Sequence, residues 1–131
     1  GGFTSDRKGT TVESGATVIA ETNLVGHAAF VDGLIKDGKI GPGTRIVFSG
    51  SEGALEAKDW KGSGMLEFFI GHLKGTKQGT YFAPTAYCYV KAILALYASA
   101  LARKYPDLYV ASVSPGSTSG TGLYDQGALG L

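Results

Sequence analysis

The chain has 131 residues, and its 12 basic and 11 acidic side chains give a net charge of +1 at pH 7. At roughly 100 to 200 residues per domain, this length allows one domain. Hydrophobic residues make up 44% and charged residues 18%, which excludes a disordered polyampholyte and a strongly basic nucleic-acid-binding protein. The single cysteine excludes an internal disulfide and favours a reducing compartment, so we expect a cytoplasmic protein. No apolar run approaches the ~18 residues of a membrane span, so none is expected.

Glycine is unusually frequent, at 21 of the 131 residues against an average of about 7%. The glycines have no regular period and the apolar content is ordinary, which excludes collagen-like and low-complexity chains. A glycine content of this kind is typical of a loop-rich domain that binds a ligand.

The first half of the chain predicts one helix and one strand. Apolar residues recur at helical spacing from Ser14 to about Ile35, and Gly38 follows as a stop signal. After a glycine-rich turn, the apolar run 45–48 is typical of a strand that is buried on both faces, as in parallel sheets. That strand ends in the segment 49–51, which carries two serine hydroxyls.

The second half repeats this order after an unassigned segment, 52–80. The stretch from Thr85 to Lys104 has the strongest helical pattern and is apolar on most of its circumference, which predicts burial on two sides. Residues 108–113 predict a second buried strand, followed by Pro115 and Gly116. Helices that alternate with buried strands predict an α/β fold, in which right-handed crossovers make a parallel sheet with helices on both faces.

Tyr87 and Lys91 are the first candidates for chemistry. They lie four residues apart in the second helix, so they project from the same face about one turn apart. An ammonium group beside a phenol favours the phenolate, and a tyrosine tuned in this way can serve as a general acid or base near neutral pH. Taken alone, such a spacing also fits an ordinary surface pair.

Ser51 and Asn23 are two further candidates. Ser51 follows the first strand at its carboxyl end, where α/β sheets bind their ligands, although an ordinary turn serine is the alternative. Asn23 is the only asparagine and falls inside the first helix, where it costs roughly 0.5 to 1 kcal/mol relative to Ala. That cost suggests a functional reason, unless the side chain simply faces solvent.

Five motifs follow one another along the chain: Asn23-Leu24-Val25-Gly26-His27, Arg45-Ile46-Val47-Phe48-Ser49-Gly50-Ser51, Tyr87-Cys88-Tyr89-Val90-Lys91, Leu101-Ala102-Arg103 and Ser112-Val113-Ser114-Pro115-Gly116. Together they resemble the short-chain dehydrogenase/reductase family, because in order and spacing they look like its Asn, Ser, Tyr and Lys tetrad followed by its Pro-Gly turn. The first and fourth motifs look closer to the retinol-dehydrogenase and protochlorophyllide-reductase-like branch of that family.

The resemblance implies a Rossmann-type doubly wound parallel sheet and hydride transfer between NAD or NADP and an alcohol or carbonyl compound. Tyr87 would be the general acid and base, and Lys91 would stabilise its phenolate and hold the nicotinamide ribose. Ser51 would hydrogen-bond the substrate oxygen. Asn23 would hold, through its helix backbone, a water molecule that links Lys91 to solvent.

The resemblance also implies cofactor contacts, partners and a substrate type. The nicotinamide would be bordered by residues after the second strand, namely Pro115, Gly116, Thr118, Ser119 and Thr121. A homodimer or homotetramer would form through the helices at 14–37 and 84–105. An apolar small-molecule substrate is suggested by large apolar side chains in the family's substrate-loop region, namely Trp60, Met65, Phe68 and Phe69.

The chain departs from the family pattern at several points. Val90 and Gly50 stand where the family often has serine, and no Thr-Gly-x-x-x-Gly-x-Gly phosphate loop precedes Asn23. The segment Gly116–Gly122 matches the glycine spacing but comes after the Tyr87 helix. We therefore expect residues 1–131 to be the catalytic half of a Rossmann domain that lacks its cofactor-binding half. The alternatives are an inactive remnant that keeps the dimerisation surface, and a small α/β module that binds a phosphate ligand at Gly116–Gly122.

Overall fold

A computed structural model describes residues 9–58, 64–76 and 81–116. Helices and strands follow the order that the sequence predicts, and one short helix is present that the sequence does not predict. The elements are helix α1 (Val18–Lys36), strand β1 (Arg45–Ser49), a 3-10 turn (Glu52–Glu56), helix α2 (Met65–Lys74), helix α3 (Ala83–Lys104) and strand β2 (Tyr109–Val113).

Helix α1 begins at Val18, four residues later than the pattern from Ser14 predicts. The side chain of Thr17 accepts a hydrogen bond from the backbone N–H of Ala20 at 3.2 Å, and this cap fixes the start of the helix. Within α1, the segment Glu21–Val25 is a π-helix, a rare geometry that often occurs at functional sites.

Strands β1 and β2 pair in parallel, in a register that runs from Arg45 opposite Tyr109 to Ser49 opposite Val113. The prediction of parallel strands is therefore confirmed. The described residues form a mixed helix-and-strand structure with a two-stranded parallel sheet, which is compatible with the α/β class. A doubly wound Rossmann order requires more strands than two and stays a prediction.

The prediction that both strands are buried on both faces is wrong for the described part of the chain. Phe48 is buried, and Ile46 and Val110 pack beside it against the core. Side chains alternate between the faces of a strand, so Val47 and Tyr109 point the other way, and both are about two-thirds exposed. Among the described residues, helices therefore cover only one face of the sheet.

Helix α3 lies at the centre of the packing. Its buried residues Val90 and Leu94 pack against Ile19 of α1 and Phe48 of β1. On another side, Tyr89 packs against Ala57 and Phe68 in a second apolar cluster that is completed by Ala92. The prediction of burial on two sides is confirmed for this first half of α3, whereas Leu96 further along is 45% exposed.

Helix α2 and the 3-10 turn are held against α3 by Tyr89. The rings of His72 and Tyr89 stack with centroids 3.8 Å apart, and Phe68 meets Tyr89 edge-on at 5.3 Å. The hydroxyl of Tyr89 donates a hydrogen bond to the carbonyl of Lys58, just beyond the 3-10 turn. These contacts bring the segment that follows β1 onto the first turns of α3.

Helices α1 and α3 are each long and apolar enough to cross a membrane by length and composition alone. This is weak evidence, because a core helix of a soluble protein passes the same test, and 44% of the most apolar stretch of α3 is buried within the protein. The sequence-based expectation of no membrane span therefore stays a prediction.

Candidate active site

The structure brings Tyr87 and Lys91 to the carboxyl end of β1. Both side chains project from α3 one turn apart, as the spacing predicts. The ammonium nitrogen of Lys91 lies 5.6 Å from the centre of the Tyr87 ring. It donates a hydrogen bond of 2.7 Å to the backbone carbonyl of Ser49, the last residue of β1. The face of α3 that carries Tyr87 and Lys91 thus places a positive charge at the carboxyl end of β1.

Lys91 is unusual because it is 3% exposed. Lysine is almost never fully buried unless it is paired, and here no described carboxylate forms an ion pair with it. Burial therefore lowers the pKa of Lys91 from its ordinary value of 10.5, because desolvation disfavours the charged form. Its bond to a carbonyl oxygen, which carries only a partial charge, leaves the field of the ammonium less neutralised than a carboxylate partner would.

Ser51 borders the same space as Tyr87. Its hydroxyl oxygen caps the 3-10 turn by accepting a hydrogen bond of 3.1 Å from the N–H of Gly53. A Cβ atom at Gly53 would lie 3.3 Å from Ser51 Oγ and 3.7 Å from Tyr87 Cε1, so both side chains lie close to the same point beside Gly53. Because Ser51 Oγ accepts from Gly53, its own proton can be donated to a ligand.

Asn23 is fully buried, which rules out the solvent-facing alternative. It lies in the π-helical segment of α1, which packs against α3. Its side-chain nitrogen donates a hydrogen bond of 2.9 Å to the carbonyl of Ile19, four residues earlier, which offsets part of the cost of asparagine inside a helix. The structure thus places Asn23 inside the protein, in an irregular helical segment next to the helix that carries Tyr87 and Lys91.

The predicted cofactor residues are described only in part. Pro115 and Gly116 are exposed just beyond β2, at the same sheet edge as Ser49, because Ser49 pairs with Val113. Gly116 has a left-handed backbone with φ of 72°, and its N–H donates to Ser114 Oγ at 3.1 Å. Three further predicted cofactor residues, Thr118, Ser119 and Thr121, lie outside the described part of the chain. So does most of the segment Gly116–Gly122.

Gly50 lies where the ends of β1 and β2 approach each other closely. Its N–H donates a hydrogen bond of 2.7 Å to the carbonyl of Val113, which draws the ends of the two strands together. A Cβ atom at this position would lie only 2.7 Å from Ser112 Oγ and 3.3 Å from the Val113 carbonyl oxygen. The close approach of β1 and β2 means that a side chain at position 50 would require Ser112 to move.

The sequence does not single out Gly53 and Cys88, which also border this space. The Cys88 sulfur would lie 3.3 Å from a side-chain carbon on Gly53. Burial and, to a lesser extent, the nearby charge of Glu56 raise the pKa of the Cys88 thiol. In the sequence, Cys88 directly follows Tyr87, and Gly53 comes two residues after Ser51. Neither position predicts that these two residues, 35 apart in the chain, lie next to each other.

Two other features do not extend the site. A shallow depression is lined by Val12, Glu13, Ser14 and Glu21, none of which belongs to the predicted site. Among the described residues, no group of three or more His, Cys, Asp or Glu side chains could hold a metal ion. Comparison of the chain with protein-family models, with curated proteins and with solved structures finds no match.

Proposed function

We propose that this chain carries the proton-transfer part of the active site of an NAD(P)-dependent oxidoreductase of the short-chain dehydrogenase/reductase type, which interconverts an alcohol and a carbonyl compound. One observation carries the proposal: a buried, carbonyl-bound lysine lies beside Tyr87 at the carboxyl edge of parallel strands, and Ser51 borders the same space. Ligands of open α/β sheets bind at this edge.

The three side chains have distinct roles in this proposal. In the reducing direction, Tyr87 gives its hydroxyl proton to the substrate oxygen, and Ser51 donates a hydrogen bond to that oxygen. The ammonium of Lys91 stabilises the negative charge that Tyr87 carries after it has lost the proton. This attraction is stronger in a buried site than in water, because the effective dielectric constant is lower.

The residues present fit the nicotinamide end of the cofactor. Lys91 has three N–H donors, and its bond to Ser49 leaves donors for ribose hydroxyl groups. The Pro115–Gly116 turn lies at the same sheet edge. When bound, the reduced cofactor supplies the hydride for the carbonyl carbon. The fit is limited to this end, because the described residues contain no glycine-rich loop that opens a helix, as a pyrophosphate site requires.

The test is a Tyr87→Phe substitution in the full-length natural protein. Oxidation of NADH and NADPH is measured with a panel of aldehydes and ketones, and cofactor affinity is measured by fluorescence titration. Loss of the proton donor is expected to lower kcat by about 10²- to 10⁴-fold while cofactor affinity changes little. Tyr109→Phe, on the exposed face of the sheet, is the matched control and should retain full activity. A Tyr87→Phe enzyme with wild-type kcat would show that the pair is structural.

A second candidate is a non-catalytic chain that keeps only a surface for self-association. The exposed side chains of Phe30 on α1 and Leu96 on α3 favour it, since they are 66% and 45% exposed. Sedimentation equilibrium tests it: dimers or tetramers that become monomers in a Phe30→Ser, Leu96→Ser variant support such a surface. Turnover in the experiment above would exclude the non-catalytic alternative.

A further inference from the structure

Ser51 is oriented by the turn that follows it. It lies beyond the end of β1 and has an extended backbone at the start of the 3-10 turn Glu52–Glu56. Its hydroxyl oxygen accepts a hydrogen bond from the N–H of Gly53, and its carbonyl oxygen accepts one from the N–H of Ala54, both at 3.1 Å. The position of the Ser51 hydroxyl therefore depends on where this turn lies relative to α3.

Tyr89 attaches the far end of the same turn to α3. Its side chain is buried, and its hydroxyl donates a hydrogen bond to the backbone carbonyl of Lys58, two residues beyond the turn. Ala57, directly after the turn, is buried in the same apolar cluster as Tyr89. The segment from Ser51 to Lys58 is thus folded upon itself at its start and bound to α3 at its end.

The ring of Tyr89 is itself held in place. His72 stacks on it with centroids 3.8 Å apart, and Phe68 meets it edge-on at 5.3 Å. A phenylalanine at this position would keep both ring contacts. The hydroxyl adds a hydrogen bond, which fixes a distance and a direction between the helix and the backbone after the turn, whereas apolar packing is not directional.

We propose that Tyr89 is a positioning residue that holds the Ser51 hydroxyl at the correct distance from the Tyr87 hydroxyl. This inference rests on the proposed oxidoreductase function. Tyr87 and Tyr89 lie two residues apart on α3, so they project from different sides of the helix. One rigid helix therefore carries the proton donor directly and Ser51 through the turn. Both hydroxyls must reach one substrate oxygen, and a misplacement of about 1 Å can slow a reaction by as much as 10²-fold.

The experiment is a double-mutant cycle in the full-length natural protein. Tyr89→Phe keeps the ring and removes the bond to Lys58. It is made in the wild type and in a Ser51→Ala variant, and kcat/KM is measured with one carbonyl compound from the panel above. In the wild type we expect a fall of about 2- to 10-fold, which corresponds to the loss of one neutral hydrogen bond. In Ser51→Ala we expect no further fall, because the group that Tyr89 positions is absent.

Tyr97→Phe is the matched control. It also removes a tyrosine hydroxyl from α3, but this hydroxyl donates a hydrogen bond of 3.0 Å to Asp32 of α1 and does not contact the turn. Any fall of kcat/KM that it causes should be the same in the wild type and in Ser51→Ala.

A second measurement needs no turnover. The amide proton of Gly53 lies in the hydrogen bond to Ser51 Oγ, so its exchange with solvent, followed by NMR, reports how firmly the turn holds that oxygen. Tyr89→Phe should speed this exchange by about 2- to 10-fold, again the loss of one hydrogen bond. Tyr97→Phe should leave the exchange rate unchanged.

Two outcomes overturn the inference and leave the proposed function intact. An equal fall of kcat/KM in the wild type and in Ser51→Ala would show that Tyr89 serves only packing, and an unchanged Gly53 exchange rate in Tyr89→Phe would show that its hydroxyl does not hold the turn. A wild-type protein that oxidises neither NADH nor NADPH with any carbonyl compound would refute the proposed function, and the role of Tyr89 in catalysis with it.

Discussion

Substitution of Lys91 by methionine probes the central feature of the site. Methionine keeps most of the apolar stem but removes the ammonium group and its 2.7 Å bond to the Ser49 carbonyl. A hydrogen bond to a charged group contributes about 1.5 to 3 kcal/mol. The bond is part-buried, and we expect its loss to lower the free energy of unfolding by an amount within that range. Against this loss, the substitution removes the desolvation penalty of a charge that is only 3% exposed.

The two effects are separated by pH. Burial lowers the pKa of Lys91 below 10.5, so between the folded-state pKa and 10.5 the unfolded chain binds more protons than the folded chain. The free energy of unfolding of the wild type therefore rises with pH through this window, by about 1.36 kcal/mol for each unit of pKa depression. Below the window the full desolvation penalty is present. The methionine variant lacks this rise.

The measurement is urea unfolding of both proteins from pH 7 to 10.5. We expect the free energy of unfolding of wild type minus that of Lys91→Met to become more positive as pH increases. Lys39→Met, at an exposed lysine in the turn after α1, controls for the loss of one positive charge. A difference that stays constant, or that falls with pH, would refute the argument that burial depresses the pKa of Lys91.

Three further predictions concern the surroundings of the site. Gly50→Ala should lower the free energy of unfolding by about 1 to 3 kcal/mol, because its Cβ would lie 2.7 Å from Ser112 Oγ. The same substitution made together with Ser112→Ala should cost much less, and an equal loss with and without Ser112→Ala would contradict the packing argument. The rate of alkylation of Cys88 should reach half its maximum above pH 9.0, because burial and the charge of Glu56 raise the pKa of the thiol. Glu56→Gln should lower this midpoint pH and the control Glu67→Gln should not, whereas a wild-type midpoint at or below 9.0 would contradict the raised pKa. The 131-residue chain by itself should show no saturable micromolar binding of NADH or NADPH in a fluorescence titration, because it lacks a recognisable pyrophosphate loop before Asn23.

Much of the secondary structure could be predicted because it depends on local pattern. The sequence predicts helix α3 over Thr85–Lys104, and the observed helix, Ala83–Lys104, begins only two residues earlier. This agreement arises because a continuous apolar pattern marks the body of the helix and Pro106 marks its end. Helix α2 was not predicted, because its apolar run is short and lies among helix-disfavouring glycines, with Gly64 before it, Gly71 inside it and Gly75 after it. It is instead stabilised by contacts of Phe68 and His72 with Tyr89, which the local sequence does not specify.

The candidate site also combines features that the local sequence predicts with features that depend on tertiary packing. The sequence by itself determined that Tyr87 and Lys91 share a helix face, because the α-helix repeats every 3.6 residues. Only the tertiary structure decided that Lys91 is buried and bound to Ser49, 42 residues away, and that Ser51 and Tyr87 both lie beside Gly53. Local periodicity sets the direction of a side chain relative to its own element, whereas the distance between elements depends on how distant residues such as Val90, Ile19 and Phe48 pack together.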